Sequence, residues 1–204
     1  LKKSYLFVKV FVPVFLVFIF VFSYITPFVQ TSESISDSVF RLHILADSNA
    51  ECDQALKLKV RDAVLENSSE MFMDCKSLDE IIKKCSDNIE VFQTTAEQCI
   101  KENGYDYGVK VYVDKEYFNT REYETITLPS GVYNALKIEI GEAKGKNWWC
   151  VMFPAICLSG VSETEMNEYL TEDEAELINS NSDYEIRFKI VEVYEKLKSK
   201  VNGY

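Results

Sequence analysis

Hydrophobic and polar positions divide this chain into stretches of different period. Tyr5 to Val29 is apolar almost throughout, broken only by Lys9, Ser23, Thr26 and two prolines. A bilayer-spanning helix needs about 20 apolar residues, and Val10–Val29 supplies that length. Val39–Ala46 (VFRLHILA) then alternates. Phe40, Leu42 and Ile44 fall on one side of a strand, Arg41 and His43 on the other. Val109, Val111 and Val113 alternate with Lys110, Tyr112 and Asp114. Leu136, Ile138 and Ile140 alternate with Lys137 and Glu139, and Trp148–Phe153 forms another short strand. Leu128-Pro129-Ser130-Gly131 signals a turn.

Between the first strand and the later ones the period lengthens to that of a helix. Ser48-Asn49-Ala50-Glu51 fits a capping box, and Leu56, Val60, Ala63 and Val64 form an apolar stripe, with Lys57, Lys59, Arg61 and Asp62 on the wet side. A second capping box, Ser77-Leu78-Asp79-Glu80, opens a run with apolar residues at 78, 82, 85, 89, 92, 96 and 99. It reads as one helix closed by Asn103-Gly104, packed on a sheet; a coiled coil is the alternative. Thr171-Glu172-Asp173-Glu174 is a third box. Ile186, Ile190, Val193, Tyr194, Leu197 and Val201 form a stripe expected to pack on the domain, a partner or membrane surface being the other possibility. The pattern predicts an α+β fold: a largely antiparallel sheet with two or more helices packed on one face, behind an N-terminal transmembrane or signal segment. The expected divisions are 1–30 for that segment, 31–37 for a polar linker, 38–160 for the α+β domain and 161–204 for an acidic helical C-terminal segment.

Charge sharpens this picture. The 204 residues carry 22 basic and 33 acidic side chains, a net −11; Lys2, Lys3 and Lys9 all lie before residue 31 and no acid does, so the remainder carries −14. Such a body repels phosphate backbones, which excludes general nucleic-acid binding. Lysines before the apolar run and acids after it put the N-terminus in the cytoplasm and the body outside, with residues 5–29 in the membrane. The run fits an uncleaved anchor; a signal peptide cut near Ser32–Ser36 is the alternative. Seven Gly and four Pro exclude collagen-like and linker-dominated chains.

Candidate chemistry is sparse. A single His rules out any site built on two histidines, and no C-x-x-C or H-E-x-x-H spacing occurs, so no metal or cofactor is expected. No G-x-S-x-G elbow surrounds Ser130; a Cys150–His43 pair is the one nucleophile–base combination left open. Cys85 and Cys99 share one helical stripe about 21 Å apart and cannot bond each other. Cys150 and Cys157 flank Pro154, which permits the chain to turn back. A disulfide between them suits an exported domain, and two free, partly buried thiols are the alternative. The most unusual stretch is Gly141–Cys150 (GEAKGKNWWC). Both tryptophans sit there, beside Lys144 and Lys146 on a Gly-punctuated loop of an acidic body. Trp buries much area at low entropy cost and anchors interfaces. Glu142, Lys144, Lys146, Asn147, Trp148 and Trp149 are therefore the candidate recognition surface, with Arg41 and His43 nearby. The plainer reading is a hairpin tip with two core tryptophans.

Arg41–Ala46, Asp53–Asp62, Ile126–Pro129 and Gly145–Val151 with Phe153-Pro154 and Cys157 resemble, in this order, stage II sporulation protein R of endospore-forming Firmicutes. The likeness covers about residues 38–157. The family more often has Asn at the position of Asp47 and Gly at that of Ala143. The resemblance implies a protein exported from the forespore into the space between the two sporulation membranes. There it would activate, by binding, a membrane-embedded aspartyl protease that processes the sigma-E precursor, without being an enzyme itself. A cell-wall-binding protein or wall hydrolase of that space is the competing function, and a structural anchor assembled through its C-terminal helix is a third.

Overall fold

In the computed structural model, which describes residues 2–72, 74–123, 126–153, 170–179 and 185–203, the alternating segments form one four-stranded sheet. Its strands are β1 (Phe40–Leu45), β2 (Val109–Phe118), β5 (Gly131–Ile140) and β6 (Asn147–Phe153), in the order β2-β5-β1-β6. A separate short pair joins β3 (Arg121–Glu122) to β4 (Thr127–Leu128). β2–β5 and β1–β6 are antiparallel, and the central β1–β5 pair is parallel, so the sheet is mixed. The parallel pairing has a simple cause. Three helices, β2 and the short β3–β4 pair separate β1 from β5, and that crossover returns the chain in the same direction.

The helices are α1 (Lys2–Ser38), α2 (Glu51–Phe72), α3 (Leu78–Asp87), α4 (Ile89–Glu102), α5 (Glu172–Asn179) and α6 (Glu185–Asn202). α2, α3 and α4 cover the first face of the sheet. Phe40, Leu42, Ile44, Leu136, Ile138 and Cys150 meet Leu56, Val60, Ile81, Cys85, Phe92 and Ala96 there in one buried cluster. The heptad-like run at 78–99 is two helices, not one. Asn88 (φ −115°, ψ 23°) ends α3 and precedes α4, and its amide Nδ2 donates to the Lys84 carbonyl. The stripe continues across the break because both helices face the sheet. Ser77 caps α3 as its sequence predicts, and α4 closes at Gly104, where φ is +82° and the N–H groups of Gly104 and Tyr105 reach the Lys101 and Ile100 carbonyls. Gln93 on α4 pairs with the edge of β2 like a short strand, donating to the Val109 carbonyl and accepting from the Val111 N–H.

The second face is covered too. Phe28 and Ile35 of α1, Leu177 and Ile178 of α5, and Phe188 and Val191 of α6 pack there on Phe118, Tyr133, Ala135 and Val151. Residues 31–37, expected to be a linker, continue α1. The Thr31, Ser32 and Ser38 hydroxyls return to carbonyls four residues back, and Ile35 is fully buried. The apolar stripe of α6 is also placed differently from expectation. Val193, Tyr194, Leu197 and Val201 are exposed, while Phe188, Val191, Glu195 and Ser199 face the protein. The side chain of Ile186 lies outside the described residues, as do residues 154–169 with Cys157 and the 160/161 boundary.

Candidate functional site

β1 follows α1 after one residue, Val39, and runs away from it. Gly131, the first residue of β5, approaches Ser36 so closely that a Cβ there would lie 3.3 Å from the serine Cβ. β5 lies parallel to β1, and its ten residues carry the chain about 30 Å to the opposite end of the sheet. The loop 141–146 therefore stands at the end remote from the apolar helix. Beside it are the β1–α2 connection and Tyr105–Gly108.

The loop is braced from below. Asp47 Oδ1 accepts from the Glu142 N–H at 2.7 Å, and the Asp47 and Ala46 carbonyls accept from the Lys144 and Gly145 N–H groups. Gly141 (φ +59°) leans over Asp47, and a Cβ on Gly145 would lie 2.2 Å from the Ser48 carbonyl oxygen. Ala143 has φ +53°, a left-handed conformation carried without glycine. Lys57, expected on the wet side of α2, is 3% exposed. Its Nζ donates to the Lys146 carbonyl at 2.8 Å and to Gln54 Oε1 at 2.7 Å. Burial first, and then the charge of Lys146, hold its pKa below the usual lysine range. Asp53, also buried, accepts from the Ser48 and Tyr107 hydroxyls. Ser48 thus serves Asp53 and the Ala50 N–H, and the helix starts at Glu51.

Glu142, Lys144 and Lys146 on this loop and Asn147 at the start of β6 are all exposed. Trp148 and Trp149 follow on opposite faces of β6. Trp148 packs on the first cluster under the Arg61 guanidinium (4.6 Å from its ring), and Trp149 on the second under Arg121 (4.2 Å). Each indole is partly buried with an arginine over it. Arg41 and His43 are not brought to this surface. His43 pairs with Trp149 across the strands and its ring meets the indole edge-on at 5.7 Å. Nδ1 lies 2.6 Å from Glu116 Oε2, and the residue is 3% exposed. Burial pushes the Glu116 carboxyl up, but His43 and Lys137 outweigh it and hold the pKa below the usual range. Arg41 is fully buried. Its Nη2 donates to the Tyr123 hydroxyl at 2.6 Å, and its guanidinium carbon sits 4.2 Å from the Phe118 ring centre and 4.9 Å from that of Tyr133. Nε and Nη1 have no hydrogen-bond partner among the described residues.

The open question of a Cys150–His43 couple is decided by register. Cys150 pairs with Leu42 and faces the first cluster, while His43 faces the second, so the sheet separates them. Cys150 is disulfide-bonded, and Cys157, its expected partner, lies outside the described residues. Among the described residues no group of three or more His, Cys, Asp or Glu side chains is placed to hold a metal ion.

The bracing residues Asp47, Asp53 and Lys57 were not picked out as site residues from the sequence. Their signal was present, since 53 and 57 share the stripe of Val60 and Val64 and are charged where burial is due.

At the end opposite the loop, Lys9–Ser38 is long and apolar enough to cross a membrane. These features define a class, an α+β head on a signal- or anchor-like helix, with its exposed chemistry on a braced loop. The chain belongs to the stage II sporulation protein R family, whose model matches residues 36–163. It is 34% identical over 131 residues to stage II sporulation protein R of Bacillus subtilis (strain 168), covering 64% of this chain and 58% of that protein. The chain thus spans less than two thirds of that relative's length. No solved structure matches it. α5 and α6 lie beyond the residues that the family model matches.

Proposed function

We propose that this protein is an exported sporulation signal. It activates, by binding, a membrane-embedded aspartyl protease that processes the sigma-E precursor across the intermembrane space. Family membership supports the sporulation setting. One observation carries the binding mechanism: the loop 141–147 is rigidly held at the end of the head farthest from the apolar helix. A head anchored in one membrane presents that end to whatever faces it. Activation by binding requires higher affinity for the active state of the protease, and a preorganised loop avoids the cost of ordering at contact. Glu142, Lys144, Lys146 and Asn147 supply polar contacts, with Trp148 and Trp149 as anchors. His43 and Arg41 support Trp149 and the sheet from beneath.

The test is co-expression with the candidate protease and its precursor substrate in a non-sporulating host. Wild-type protein should produce processed precursor. Trp148→Ala, Trp149→Ala and the double variant Lys144→Glu/Lys146→Glu should lose processing while export persists. Processing that survives the charge reversal and both tryptophan changes in folded protein would remove the loop from the mechanism. No processing with the wild type, together with sedimentation on peptidoglycan, would favour the wall-binding function.

A further inference from the structure

α6 is apolar on two sides. At 100° per residue, Phe188, Val191, Glu195 and Ser199 form the arc turned inward, which is buried. Val193, Leu197, Ile190, Val201 and Tyr194 form a second arc about 100° wide, and from 36% to 85% of each of these residues is exposed. No second arc is needed to hold the helix down, because the first already packs on Phe28 and the sheet. Lys189, Lys196 and Lys200 line one edge of the outer arc, all exposed. The fourth lysine, Lys198, turns to Glu33 of α1 at 2.6 Å. These four lysines accompany two acids between Phe188 and Asn202, in a body that is otherwise strongly acidic.

The position of the helix identifies what covers this face. Phe188 stacks edge-on against Phe28, at 5.4 Å, at the foot of the long apolar run of α1. Above that contact, Val10–Tyr24 are open along their length. From Phe28 to Glu33 α1 advances about 7.5 Å, whereas from Phe188 to Lys198 α6 advances about 15 Å. Between those two contacts α6 lies beside the stretch of α1 that directly follows the apolar run. An exposed apolar arc edged by lysines at that level matches a helix lying in a bilayer interface, with the lysine stems reaching toward headgroups.

We propose that the outer face of α6 docks on the surface of the membrane that α1 enters, with Val193, Leu197 and Val201 in the acyl boundary and Lys189, Lys196 and Lys200 at anionic headgroups. The inference rests on α1 being inserted in that membrane. It concerns a segment outside the family match, and it gives the head a second attachment to that membrane.

The test uses the full chain in vesicles of phosphatidylcholine and phosphatidylglycerol in equal parts. An environment-sensitive fluorescent residue is introduced by stop-codon suppression at position 197, and separately at 18 and 144. With lipids brominated on their acyl chains, the probe at 197 should be blue-shifted and quenched, and the probe at 144 should be neither. Val193→Glu/Val201→Glu should return position 197 to aqueous emission. Vesicles of phosphatidylcholine alone should weaken the quenching, reporting the lysine contribution. Aqueous emission at 197 overturns the proposal. So does a blue shift without bromine quenching that grows with protein density, since a second copy then covers the face. Quenching at 18 without quenching at 197 overturns the docking alone; loss at both positions overturns the membrane reading of α1 with it.

Discussion

Arg41 shows how much of this sheet is decided by single side chains. A buried guanidinium loses hydration, and among the described residues Arg41 has no carboxylate partner and two of its nitrogens find no acceptor. Two aromatic faces and one tyrosine hydroxyl offset part of that cost. Removing a buried ion in favour of a well-packed apolar chain is often neutral or stabilising. Arg41→Met should therefore keep stability within about 1 kcal/mol of wild type, whereas Arg41→Ala should lose about 3 kcal/mol or more by leaving a cavity. Urea midpoints of the two variants measure the difference. The thiols divide by the same logic of environment. Burial pushes the Cys85 thiol up to about 12, while Cys52 is exposed beside the braced loop.

At the scale of elements, the loop at 141–147 depends on its backbone more than on its exposed side chains. Ala143 holds a left-handed conformation that costs an L-residue about 1 kcal/mol. Ala143→Gly should raise the thermal midpoint by a few degrees, corresponding to about 0.5–1 kcal/mol, with no loss of processing in the co-expression assay. Gly145→Ala should do the reverse, because its Cβ meets the backbone carbonyl of Ser48, which cannot move aside. The strands of this unit were legible because alternation in β1, β2 and β5 is uninterrupted. The break at Asn88 was not, since both helices keep the same stripe toward the sheet. Arg41 and His43 disguised a central strand buried on both faces as one with a wet side, a common consequence of parallel pairing within a covered sheet. In α6 the longer stripe read from the sequence was the outward one, and the packed arc was hidden by Glu195 and Ser199. The loop was legible as a recognition candidate from its tryptophans and lysines, whereas its bracing by Asp47 and Lys57 spans nearly a hundred residues and leaves no local trace.

For the whole molecule, two carboxylates set opposite dependences on acidity. Glu195 on α6 is raised, by burial first and then by Glu33, with Lys198 opposing. Its contribution is fully present below the unfolded value near 4.3 and is lost as the pH rises through the folded value. Glu195→Gln should therefore raise the thermal midpoint at neutral pH. Glu116 is lowered by His43 and Lys137 against burial. Its stabilisation is present above the unfolded value and lost as the pH falls through the lower folded one, so Glu116→Gln should flatten the acid limb of the curve. Thermal midpoints of the full chain in detergent, taken across the acid and neutral range, should separate these two limbs.

α1 runs as one continuous helix from the apolar segment, through Pro27, into the second core, ending one residue before β1. With α1 inserted in a bilayer, as proposed above, this continuity ties the azimuth of the distal loop to helical phase. Two residues inserted after Ile25 turn the head by about 200°, and four turn it by only about 40°. In the co-expression assay, processing should fall with the shorter insertion and recover with the longer one, a dependence on angle that a tethered head on a loose leash would not show.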